Sequence, residues 1–105
     1  MSFRIRSTPQ TDADIEAAFD WYESELAGLG MEFLDELRTA YARIEENPLK
    51  YEIQKWDIRR ALTRRFPYAV YFMIEGSDVV VLAVMNTAQD PGRWRARRSP
   101  RISEP

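Results

Sequence analysis

Arginine is the residue type in this chain best placed to do chemistry. Arg59-Arg60 and Arg64-Arg65 sit close together, and Arg93, Trp94, Arg95 and Arg97 form a second basic cluster near the C-terminal end. A guanidinium presents a planar fork of donors that matches phosphate or carboxylate oxygens two at a time. An indole among such groups can stack on a base or fill an apolar pocket. These two clusters are therefore the candidate surface for a nucleic acid or another acidic target. In an extended strand Arg60 and Arg64 point one way and Arg59 and Arg65 the other. The competing reading turns the same arginines inward to pair with acidic helices upstream.

Much other chemistry has no residues to support it. The 105 residues contain no His and no Cys, which removes the commonest general base, the commonest metal ligand, thiolate nucleophiles and disulfides. No phosphate loop, metal-ligand spacing or nucleophile elbow occurs, so no cofactor and no metal is expected. The acidic residues between Asp12 and Glu25 are spaced for solvent and for a helix dipole, not for a catalytic carboxylate pair. No apolar run approaches the roughly 20 residues of a membrane span, and the N-terminus has no signal core; a soluble cytoplasmic protein is expected. Net charge is −2, but residues 1–49 carry 4 basic and 11 acidic side chains while 50–105 carry 11 and 6. Such a split suits an acidic partner for the second half, or two solvated faces of opposite sign.

The elements that must position these groups follow from periodicity. Phe3-Arg4-Ile5-Arg6 alternates as a strand with one wet face. Thr8 with Pro9, or Thr11 with Asp14, then opens a helix whose apolar stripe is Ile15, Ala18, Phe19, Tyr22 and Leu26, stopped at Gly28. Trp21, Tyr22 and Tyr41 read as packing residues. A second helix spans about 31–46 with Phe33, Leu34, Leu37, Tyr41 and Ile44 inward, closed by Asn47-Pro48. Residues 50–57 are either a loop or a short irregular strand. Ile58–Thr63 is a strand ahead of a hairpin, Tyr68–Ile74 and Val79–Met85, turned by Glu75-Gly76-Ser77-Asp78. Residues 93–98 are a short basic turn or helix, and 99–105 a frayed tail. The expected fold is α+β in the order β-α-α-β-β-β, one domain over 1–98, with a helical hairpin on one face of a mainly antiparallel sheet.

That arrangement leaves the second face of the sheet apolar. Val79, Val81, Ala83 and Met85 alternate with Val80, Leu82 and Val84, so both faces need cover. A partner chain docking on Val80, Leu82, Val84 and Tyr71 is the expected cover; the alternative is that the basic tail and the Trp56 loop suffice.

Two sets of residues then carry a resemblance. One is Trp21-Tyr22, the stretch Gly30-Met31-Glu32-Phe33-Leu34-Asp35-Glu36-Leu37 and Asn47-Pro48. The other is Arg60, Arg65-Phe66-Pro67-Tyr68-Ala69-Val70-Tyr71, Val81-Leu82-Ala83-Val84 and Asp90-Pro91-Gly92-Arg93-Trp94. Over about residues 3–98 the chain resembles the RelE/ParE family of toxins from type II toxin–antitoxin modules, often described as plasmid-stabilisation proteins. The resemblance implies a small bacterial toxin held inactive, in an oligomeric assembly, by an antitoxin that wraps it. RelE-like members cut messenger RNA on the ribosome; ParE-like members poison DNA gyrase and lack the catalytic groups. Here Asn86 and Gln89 stand where many nucleases of the family have His and Arg, and neither can act as general acid or base. If the chain were a nuclease, Lys50, Lys55, Arg60, Arg65 and Trp94 would have to supply the site, with Tyr51 near them. The expectation is a toxin acting by binding, with gyrase favoured; the alternatives are a ribosome-dependent endoribonuclease and a non-toxic interaction module with the same fold.

Overall fold

A computed structural model describes residues 2–88 and 93–97. Strand β1 (Arg4–Ser7) leads through Thr8 into helix α1 (Pro9–Glu25). Thr8 is the cap: its side chain accepts a hydrogen bond from Thr11 N at 3.2 Å, and Pro9 sits where its missing N–H has no intrahelical partner to lose. Thr11 is fully buried for a different purpose, donating its hydroxyl to Val81 O at 2.9 Å. Leu26 lies beyond the last helical residue and is 63% exposed, so the inward stripe ends one turn earlier than the sequence pattern.

Helix α2 (Leu29–Glu46) follows after a tight reversal in which Gly28 has φ +91°. The start of α2 lacks a side-chain cap of its own. Glu23 of α1 supplies one, accepting from Gly28 N at 2.9 Å and Gly30 N at 3.0 Å. A Cβ at Gly30 would lie 2.7 Å from the Phe19 ring, so this close approach needs glycine.

After a 3-10 turn (Pro48–Lys50), residues read as either loop or irregular strand form β2 (Ile53–Lys55), paired with β3 (Ile58–Leu62) across an irregular register. The hairpin β4 (Tyr68–Glu75) and β5 (Asp78–Asn86) completes a sheet of order β1-β5-β4-β3-β2. All its pairings are antiparallel except β1 with β5. The order is thus β-α-α-β-β-β-β, an α+β fold.

The helices cover one face. Phe33, Leu37, Ile44, Val70, Phe72, Val79 and Val81 form that core, and the Tyr22, Phe33, Phe66 and Tyr68 rings meet tilted or edge-on, with centroids 4.8–6.1 Å apart. The opposite face carries Ile58, Ala69, Tyr71, Met73, Val80, Leu82 and Ala83. Its cover comes from the chain itself. A 3-10 helix (Arg93–Arg97) lays Trp94 on Tyr71, ring centroids 4.5 Å apart and 14° from parallel.

Candidate functional site

Three places matter: the sheet face beneath Trp94, the outer edge of β5, and the arginine clusters around β3.

The sequence reading put Val80, Leu82 and Val84 on one open face with Tyr71. Two features correct it. First, β5 contains a bulge: Tyr71 pairs with Ala83 and Phe72 with Val81, leaving Leu82 without a partner. An extra residue reverses the alternation beyond it, so Val84 faces the helices while Leu82 and Ala83 both face away. Second, that face is not open. Tyr71, Val80 and Leu82 are 4%, 4% and 5% exposed, and Trp94 is 3% exposed. The Trp56 loop takes no part in this cluster; its indole is 45% exposed.

The bulge lies where β1 ends. β1 pairs with β5 only as far as Ser7 opposite Val81, whose carbonyl accepts from both Thr8 N and the Thr11 hydroxyl. Beyond Val81, no strand among the described residues pairs with the outer edge of β5. Two side chains take its place. Arg97 donates to Leu82 O at 3.1 Å, and Asp14 accepts from Val84 N at 3.0 Å. The two are joined in a bidentate ion pair, 2.6 and 3.0 Å, in a partly buried setting. Beside this half-open edge runs a groove of about 440 Å³ lined by Asp14, Ala17, Ala18, Trp21, Tyr68, Val84, Met85 and Asn86. Trp21, read from sequence as packing, is 59% exposed at this groove, while its neighbour Tyr22 turns into the core. Asp14 read from sequence as a dipole residue; only the fold shows that it also holds a strand edge.

The basic candidates do not converge on one point. Arg59 donates to Leu49 O at 3.2 Å and Tyr51 O at 2.7 Å, tying the 3-10 turn to β3. Arg65 pairs with Glu32, and its backbone N–H, with that of Phe66, donates to the Glu36 carboxylate. Arg97 is held by Asp14. Arg60, register partner of Tyr71, lies half-buried on the helix-free face, which Lys55 shares as the partner of Ile58. Lys50 stands outside the sheet, its ammonium 5.3 Å from the Tyr51 ring centroid. Arg64 is exposed, and the Arg95 guanidinium lies 5.5 Å from the Trp94 centroid. The Arg93 side chain, Gln89 and the tail 99–105 lie outside the described residues. Lys55, Arg60 and Trp94 therefore share the helix-free face, while Lys50 lies outside the sheet and Arg65 pairs with α2. Among the described residues no His, Cys, Asp and Glu groups gather to hold a metal, and no helix is long and apolar enough to cross a membrane.

The fold is thus a helical hairpin on one face of a five-stranded mixed sheet, with a short 3-10 helix on the other. The structure superposes on a chain of the chromosomal ParDE toxin–antitoxin system from P. aeruginosa with a TM-score of 0.73, at 13% identity over 81% of this chain and 96% of that one. It matches a chain of the RelBE2 toxin–antitoxin complex from Mycobacterium tuberculosis with a TM-score of 0.55, at 17% identity over 82% and 99%. Residues 5–91 match the family described as the ParE toxin of the type II toxin–antitoxin system parDE. This chain belongs to that ParE toxin family. No curated protein matches it significantly.

Proposed function

We propose that this toxin arrests growth by binding a protein target, with DNA gyrase favoured, and that an antitoxin silences it by docking along the outer edge of β5. The observation that supports action by binding is the disposition of the candidate catalytic groups. Trp94 is sealed against Tyr71, so its ring is not presented to a base, and Arg65 is engaged by acidic residues of α2. For the antitoxin, burial of Tyr71, Val80 and Leu82 beneath Trp94 moves the proposed site to the neighbouring edge. A strand edge met, among the described residues, by two side chains, next to a groove of mixed polarity with an exposed indole, suits an extended peptide that adds a strand.

Induction in a bacterial host tests the reading. Filamentation with a DNA-damage response, and inhibition of supercoiling by purified gyrase, is the expected result. Immediate translation arrest with messages cleaved on ribosomes would overturn it.

A further inference from the structure

An unpaired strand edge is a template for pairing with another chain, and native sheets carry devices against it. At the outer edge of β5 beyond Val81 that task falls, among the described residues, to two side chains. Their geometry is that of a strand. In a parallel ladder, a residue donates its N–H to the carbonyl just before its partner and accepts from the N–H just after it. Arg97 donates to Leu82 O at 3.1 Å, and Asp14 accepts from Val84 N at 3.0 Å, the two positions flanking Ala83. Joined to each other at 2.6 and 3.0 Å, they stand in for one strand residue opposite Ala83. They continue the parallel pairing that β1 leaves off at Val81.

The chemistry of the pair suits exclusion better than stabilisation. An ion pair withdrawn from water gains little over apolar packing, because desolvation offsets the attraction. Here the Arg97 and Asp14 side chains are only 20% and 16% exposed. A strand arriving at this edge must lift both charges off it and leave them inside the contact. The strand itself supplies the need for such a device. Val79–Met85 holds no charged residue and is rich in Val, a composition that pairs readily with its own kind. The groove alongside offers little other deterrent: among its described lining residues Asp14 is the one that carries charge, and Trp21 stands exposed there.

We propose that the Asp14–Arg97 pair is a guard that keeps this chain from pairing with a second copy of itself through β5. A second copy is the occupant these observations favour. A two-fold axis at the edge would set the same uncharged strand, the same Leu82 and Val84 backbone groups and the same exposed Trp21 of both chains against each other. The proposal concerns the chain before any partner arrives, and it holds whether or not an antitoxin uses the same edge.

The test is the mass in solution of the purified full chain and of the double variant Asp14→Ala/Arg97→Ala, with amide hydrogen exchange read at Val84. The wild-type chain should be a monomer at every concentration, with the Val84 amide protected throughout. The double variant should shift to a dimer as concentration rises, and its Val84 amide should become protected only as the dimer forms. A folded double variant that stays monomeric overturns the proposal. So does a dimer that leaves the Val84 amide exchanging freely, since it joins elsewhere, and so does a wild-type chain that is already a dimer. Should the double alanine variant fail to fold, Asp14→Asn/Arg97→Gln keeps the side-chain length and removes the ion pair. A dimer with concentration-dependent Val84 protection is expected of it, and a monomer overturns the proposal.

Discussion

The fold holds several side chains in settings that act against them, and Tyr41 shows how to detect this. Its hydroxyl is buried without a hydrogen-bond partner among the described residues. Burial, and then the nearby Asp12 and Asp14 carboxylates, raise its pKa well above the ordinary phenol value. Because the folded-state pKa is the higher one, the unfolded chain releases this proton first as pH rises. Stability is therefore full below pH about 10 and declines above it, as the unfolded phenol ionises. Tyr41→Phe should flatten that alkaline decline and, by removing an unmet polar group, raise stability at neutral pH by about 1 kcal/mol. Urea midpoints at pH 8 and above pH 10 check both. Gly30 is the opposite case. The Phe19 ring and the Glu23 carboxylate that caps α2 lie within 2.9 Å of where a Cβ would be. Gly30→Ala is expected to cost about 1–3 kcal/mol through forced repacking, read as a lower urea midpoint.

Among the elements, the short 3-10 helix at Arg93–Arg97 does the most with the fewest residues. It closes one sheet face through Trp94 and one strand edge through Arg97. Trp94→Ala should lower stability by about 3 kcal/mol and expose dye-binding apolar surface. A charge at Leu82, now a buried bulge residue, should unfold the domain and not merely release a partner. The main elements were legible in the sequence because their signals are local: a helix start at Thr8-Pro9 or Thr11, the stripe of α2, the Val-rich run of β5. What escaped was non-local. β2 is three residues long and irregularly paired, too short for a periodic signal. The bulge at Leu82 is fixed by where β1 ends, and nothing in the alternation of Val80, Leu82 and Val84 announces it. Trp21 and Tyr22 are adjacent aromatics on one helix, and their different fates depend on the neighbouring strand. The arginine clusters were visible as clusters, but not the acidic partners that hold Arg65 and Arg97.

For the whole molecule, the opposite charges of its two halves turn out to be partly an internal device. The Arg65 guanidinium reaches Glu32, its backbone N–H reaches Glu36, and Arg97 reaches Asp14, so the acidic helices and the basic second half are fastened to each other. On the reading proposed above, the antitoxin takes the outer edge of β5. An arginine in place of Ala17, on the groove beside β5, should abolish co-purification with the antitoxin while leaving the melting curve unchanged. If the antitoxin is retained, it docks elsewhere. The remaining consequence lies in the pairing of β1 with β5, the only parallel pair in the sheet. β1 waits for β5 to be synthesised, since Arg4 sets its register against Asp78. Long-range closure of this kind makes folding slow relative to local helix formation. A nascent chain can build its helical hairpin early and still lack the strand that orders β1. The sheet therefore closes only once β5 has emerged, well after the helical hairpin can form.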